Sequence, residues 1–280
     1  MIPAVFEYDV AESPEHAIEL LGRYGEEAKI LAGGQSLLPL MKLRFATPSA
    51  LVDIGRLSEL DYVRDDGDRV VIGATTGYED VHRNELVRQH CPILADAAGE
   101  VGDPQVRHMG TIGGAVAHGD PASDIASTLV TLDAELAVRG PAGERAVAAR
   151  DFFKSPFETD LGAQDLVTEV RVPKVSGVGW SYMKFHPREQ DWAIVGVAAL
   201  IEHSNGGISR ASVTLTNMGP TPLRAASVEQ ALAGGEEVAQ AAQAATDGTS
   251  PVDDVFASSE YRRYLAPILV RRAIEEAMGR

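Results

Sequence analysis

Hydrophobic and polar positions alternate in short blocks through the first 176 residues, and each block reads as a helix or a strand. Ser13 and Pro14 precede Ala17, Ile18, Leu20 and Leu21, which repeat at helical spacing up to Gly25. A serine oxygen satisfies free helix amides and proline suits the first helical position, so a helix starting at Pro14 is predicted. Lys29–Ala32 reads as a short buried strand, Leu37–Leu43 as a short helix ended near Thr47-Pro48, and Ala50–Ile54 as another strand. Tyr62–Arg64 and Arg69–Ile72 flank Asp65-Asp66-Gly67-Asp68, a hairpin pattern. Thr76–His90 is predicted as one helix with Leu86 and Val87 on one face. Cys91-Pro92 starts another towards Ala98, and Ile125–Leu132 is a third. Glu135–Arg139 and Glu144–Ala148 flank the turn Gly140-Pro141-Ala142-Gly143, and Leu166–Val172 is a strand stopped by Pro173.

The pattern then changes. Lys174-Val175-Ser176-Gly177-Val178-Gly179 reads as a boundary dividing the chain into residues 1–176 and 177–280. Beyond it come three strands, Trp180–His186, Ala193–Glu202 and Ser209–Thr216, with Asn205-Gly206-Gly207 as a hairpin turn. Helices are predicted over Ala225–Ala233, Glu237–Ala245 and Tyr261–Met278. Strands followed by helices predict a small α+β domain, whereas the first part mixes the two throughout. No internal repeat is present.

Composition narrows the setting. At 45% hydrophobic and 24% charged residues, the 280-residue chain has an ordinary globular make-up. Its formal charge of −16 argues against a nucleic-acid partner and disfavours anionic membranes. The apolar runs 193–201 and 265–273 are too short to span a bilayer, and the N-terminus lacks a basic stretch followed by an apolar core, so a cytoplasmic location is expected. Cys91 is the single cysteine, so this chain alone builds neither a disulfide nor a cysteine-ligated iron–sulfur cluster. Its seven histidines form no metal-ligand pair, and no metal site is expected. Any redox centre on this chain must therefore be an organic cofactor.

Two glycine pairs carry the candidate chemistry: Ala32-Gly33-Gly34-Gln35-Ser36, and Thr111-Ile112-Gly113-Gly114. Glycine lets backbone amides approach a bulky anion, and a nest of such amides carries partial positive charge. Singly, each pair is as well explained by a tight turn. Together, with donors on Gln35, Ser36 and Thr111 and no charged side chain in either core, they predict one diphosphate held from two sides. Neither a Rossmann G-x-G-x-x-G nor a P-loop is present.

The stretches Leu31–Arg44 and Gly102–Gly114, together with Asp120-Pro121-Ala122-Ser123-Asp124, Tyr182-Met183-Lys184-Phe185 and Asn217–Arg224, resemble the FAD-binding medium subunit of molybdenum hydroxylases. The carbon monoxide dehydrogenase type is nearest, and the flavin domain of xanthine dehydrogenase is more distant. The resemblance implies a mixed α+β fold: a two-part FAD-binding domain of the vanillyl-alcohol-oxidase-like type, then a small domain with a three-stranded antiparallel sheet and helices. It also implies that FAD is held by Leu31, Ala32, Gly33, Gly34, Gln35, Ser36 and Leu37 of the first motif. Thr111, Ile112, Gly113, Gly114 and Ala117 of the second would complete the grip, with Val101, Ser123, Asp124, Leu166, Lys184 and Trp192 around the rest of the cofactor. No catalytic or metal-binding residue on this chain is implied.

Several of these positions carry a plainer reading as well. Asp124 would accept hydroxyl hydrogen bonds or cap the helix before Ile125; Val101 and Leu166 suit core packing. Lys184 would face the flavin or sit solvated at a strand end, and Trp192 would cover the ring or fill the core. Gln35 stands where many medium subunits carry histidine, which removes a proton-carrying group but leaves backbone binding intact.

The same resemblance implies two partners, an iron–sulfur small subunit and a molybdenum-cofactor large subunit, in a dimer of heterotrimers. This chain would pass their electrons through FAD to an external acceptor. A self-sufficient FAD-dependent oxidoreductase and an inactive nucleotide-binding assembly module are the alternatives.

Overall fold

The computed structural model describes residues 2–204 and 207–279. It begins with β1 (Glu7–Val10), α1 (Pro14–Tyr24), β2 (Ala28–Leu31), α2 (Leu37–Leu43) and β3 (Ala50–Asp53). The strands form a parallel sheet of order β1-β3-β2. α1 forms as its sequence predicts. The Ser13 side chain accepts from the His16 amide, and Ala17, Leu20 and Leu21 are buried in one cluster with Val52 and Ile54.

The chain continues through β4 (Val63–Asp66), β5 (Arg69–Gly73), α3 (Tyr78–Arg83), α4 (Glu85–His90), α5 (Pro92–Gly99), α6 (Pro104–Met109), α7 (Ile112–His118) and α8 (Asp124–Thr131). It then forms β6 (Glu135–Gly140), β7 (Gly143–Ala148), α9 (Ala149–Phe152), β8 (Phe153–Ser155), β9 (Glu158–Thr159) and β10 (Leu166–Pro173). An antiparallel sheet of order β4-β5-β10-β6-β7 results, with β10 at its centre. The single helix expected over Thr76–His90 is two helices. Asn84 turns extended between them at ψ 127° and its side chain accepts from the amides of Leu86 and Val87, so the break is capped.

The C-terminal part holds β11 (Gly179–Phe185), β12 (Val195–Ser204), β13 (Gly207–Thr216) and β14 (Leu223–Arg224), followed by α10 (Ala226–Ala233), α11 (Val238–Ala241) and α12 (Ser259–Gly279). Three long antiparallel strands are present as expected, and the two-residue β14 adds a fourth at the edge of β13. The helix expected over Glu237–Ala245 is shorter, tightening into a 3₁₀ turn over Ala242–Thr246. Of the predicted hairpin turn, Asn205 and Gly206 lie outside the described residues.

Every residue of α8 is buried, and α8 ties the two parts together through polar groups. The Thr216 hydroxyl donates to Ser127 Oγ at 2.6 Å, and Ser212 Oγ donates to the Thr131 carbonyl at 2.7 Å. On the far side of the C-terminal sheet, Arg262 of α12 is 1% exposed and donates to the Ile194 carbonyl and to Asp254. Arg262→Ala leaves that carbonyl without its donor, and urea unfolding should register a loss on the order of 2 kcal/mol. A midpoint equal to wild type would contradict this role.

Candidate cofactor site

β2 delivers the chain into the loop Ala32–Ser36, which lies against the junction of α6 and α7. Gly33 makes that approach possible: a Cβ on it would stand 1.8 Å from the Met109 carbonyl oxygen and 2.9 Å from Gly110 Cα. Gly34 takes φ 71°, where a side chain is strained. Among the described residues, the amides of Gly33, Gly34, Gln35 and Ser36 donate no hydrogen bond. They border a cleft of about 540 Å³, within the usual range for small-molecule sites. The cleft collects Leu31, Ala32, Gly33, Gly34, Gln35, Ser36 and Leu37 with Thr111, Gly113, Gly114, Ala117 and Leu166.

The second glycine pair works differently from the expectation. It is not a loop but the first turn of α7, with Thr111 as its cap. Its amides are already used: Ile112 N donates to Thr76 O at 3.0 Å, Gly113 N to Ala74 O at 2.9 Å, and Gly114 N to Thr111 Oγ1 at 3.1 Å. Gly113 is small because a Cβ there would meet Ala74 Cβ at 2.5 Å. What this motif offers the cleft is the Thr111 hydroxyl proton and a smooth glycine surface, while the free amides belong to the first loop. Ile112 is fully buried in the core.

The rest of the second motif is scaffolding. Asp103 Oδ1 accepts from Val106 N at 2.9 Å and caps α6. Arg107 donates to Glu79 at 3.0 Å and to the Val101 carbonyl at 3.3 Å, and Arg83 also pairs with Glu79. The hydrogen bond from Arg107 and the two guanidinium charges hold the Glu79 carboxyl below the usual range.

A second cluster sits beyond the cleft. Ser123, not Asp124, caps α8 by accepting from Ala126 N. Asp124 instead turns inward, where Lys184 Nζ donates to Oδ2 at 2.8 Å and the Tyr182 hydroxyl to Oδ1 at 2.5 Å. Lys184 Nζ also donates to the Glu100 carbonyl at 2.9 Å, and its side chain is 2% exposed, so it is neither solvated nor free. Burial pushes the Asp124 carboxyl up, opposed by Lys184, and burial with the Asp124 charge pushes the Tyr182 phenol well up. Val101 is half-buried beside this cluster, and Trp192 is 64% exposed rather than in the core. None of Val101, Ser123, Asp124, Lys184 and Trp192 borders the cleft. Tyr78 links the two regions: it lines the cleft, and its phenol is raised first by burial and then by the Asp124 charge. Tyr78, His118 and Phe157 line the cleft without belonging to any glycine motif, and nothing in their local sequence marks them.

Residues 4–175 match the family model described as the FAD binding domain in molybdopterin dehydrogenase. The chain belongs to this family. Residues 180–277 match the CO dehydrogenase flavoprotein C-terminal domain. The carbon monoxide dehydrogenase medium chain of Hydrogenophaga pseudoflava is 40% identical, over 100% of this chain and 99% of its own length. The glyceraldehyde dehydrogenase medium chain of Sulfolobus acidocaldarius is 38% identical, over 99% of both. A solved carbon monoxide dehydrogenase from Hydrogenophaga pseudoflava superposes with a TM-score of 0.97 at 42% identity, covering 100% of this chain and 99% of that one.

The residues of this flavoprotein fit FAD. Gly33 and Gly34 have no room for a side chain, four neighbouring amides have no acceptor among the described residues, and Thr111 with its neutral hydroxyl lines the same cleft. Gln35 can donate one more hydrogen bond but adds no charge, so what this loop offers an anion is chiefly its backbone amides.

Proposed function

We propose that this chain is the FAD-carrying medium subunit of a molybdenum hydroxylase complex, passing electrons from an iron–sulfur subunit to an external acceptor, with the molybdenum cofactor on a third subunit. The observation that carries the reading is the Gly33–Ser36 loop, whose free amides are pressed into place against Met109 and Gly110. When bound, FAD supplies what the side chains lack, the ability to take up electrons singly and release them in pairs. The chain's own residues bind and orient. The Gly33–Ser36 amides and the Thr111 hydroxyl would take the diphosphate, with Ala117 and Leu166 along the cleft. Asp124, Tyr182 and Lys184 form a buried charged group next to Tyr78, where they would set the electrostatics at the redox end, with Val101 and Trp192 nearby in the family pattern.

Relatives of nearly equal identity are named for carbon monoxide and for glyceraldehyde, which supports assigning substrate choice to another subunit. Division at residue 176, assembly as a dimer of heterotrimers and a cytoplasmic location belong to the same proposal. The first part and the C-terminal part have largely separate cores, which supports the division. No described helix is long and apolar enough to cross a membrane.

The test is flavin uptake. Purified chain incubated with FAD and freed of excess should be yellow and show a protein-bound flavin spectrum. Colourless protein would contradict the reading.

A further inference from the structure

Phe157, in the turn between β8 and β9, has φ 61°, a left-handed conformation that phenylalanine rarely adopts. Its amide donates to the Gly119 carbonyl at 2.9 Å, fixing the turn to the C-terminal end of α7. The ring is 61% exposed, yet it tilts over His118 with centroids 5.1 Å apart and planes at 48°. Both side chains line the cleft. A strained residue presenting a large apolar ring to solvent contributes little to folding, and strain of this kind gathers where a ligand is held.

The position of this pair along α7 identifies what it would hold. Thr111 and the neighbouring Tyr78 mark the N-terminal end of the helix, on the side of the buried Asp124–Lys184 pair. His118 and Phe157 mark the other end, about 10 Å away for a helix of this length. Leu161, Ala163 and Leu166 line the same cleft, and burial holds the His118 imidazole below its usual range. A flat, uncharged aromatic group suits such a platform. On the FAD reading above, with the diphosphate at Gly33–Ser36, the adenine is the part of the cofactor that matches it. We infer that Phe157 and His118 form the adenine platform of the FAD site, and that Phe157 is a positioning residue for the cofactor.

The experiment titrates flavin-free, full-length chain with FAD and with flavin mononucleotide, which keeps the flavin and one phosphate but lacks adenosine. Flavin fluorescence is followed for wild type, Phe157→Gly, Phe157→Asn and Phe157→Tyr. Glycine and asparagine accept a positive φ, so both variants should melt no lower than wild type. Both should bind FAD on the order of 10- to 100-fold more weakly, the scale of a lost base–aromatic stack, with flavin mononucleotide affinity unchanged. Phe157→Tyr should bind FAD as wild type does. Unchanged FAD affinity in the glycine and asparagine variants would overturn the inference, as would equal weakening of flavin mononucleotide, which would put the flavin ring on this platform instead. Wild-type chain that takes up no FAD at all would remove the cofactor reading itself, and the platform with it.

Discussion

Gly33→Ala is expected to abolish FAD retention, weakening affinity by about 100-fold or more, while the chain still folds. The added Cβ would stand 1.8 Å from the Met109 carbonyl oxygen, with the Met109 carbonyl carbon and Gly110 Cα as the next neighbours. All three are backbone atoms, so no side-chain rotation relieves the overlap. Either the loop lifts or the end of α6 moves, and the four free amides lose their common aim. Hydrogen bonds to a charged group contribute about 1.5–3 kcal/mol each, so misdirecting even two of them accounts for the loss. Equilibrium dialysis against FAD measures it, with circular dichroism as the check on folding. Retention equal to wild type would mean that the loop does not hold the diphosphate.

Asp124→Ala should destabilise the flavin-free chain by about 3–5 kcal/mol in urea unfolding, because it leaves the Lys184 ammonium buried without its counter-charge. The Lys184 side chain is 2% exposed and would keep only the Glu100 carbonyl as a partner among the described residues. The Tyr182 hydroxyl would lose its acceptor too. The double variant Asp124→Ala with Lys184→Met should recover most of that loss, since removing both charges of a buried pair is far less costly than removing one. A single variant within 1 kcal/mol of wild type, or a double variant no better than the single, would show that the pair is not coupled as the geometry indicates.

The local elements were legible where the signal was local. Ser13-Pro14 capped α1 and the Lys29–Ala32 strand led into its glycine pair because capping and strand burial are written in adjacent residues. The second glycine pair reads from sequence as a tight turn or an amide nest, but it forms the first turn of α7. Two glycines disfavour a helix on propensity, yet α7 forms: Thr111 caps it locally by accepting from Gly114 N, and Gly113 packs on Ala74, 39 residues away, a contact no local pattern shows. Asn84 is a different case: it accepts from Leu86 N and Val87 N, a local cap set inside a run whose apolar spacing reads as one continuous helix.

The candidate site divides along the same line. The first loop's glycine pair is visible in its own residues, and the structure gathers it with Thr111, Gly113 and Gly114 in one cleft. The Asp124–Lys184 pair joins residues 60 positions apart, and no spacing rule links them. Phe157 and His118 meet only because the β8–β9 turn bonds to Gly119. The resemblance supplied Asp124 and Lys184 as separate cofactor contacts; their burial on each other came from the fold.

The most direct measurement is the content of the chain as isolated from its own cells. Tagged at one terminus and purified under mild conditions, it should carry stoichiometric FAD and bring down two further subunits, one with iron and acid-labile sulfide, the other with molybdenum. Recovery of the chain alone, without flavin and without either metal, would contradict its role as the electron exit of a molybdenum hydroxylase.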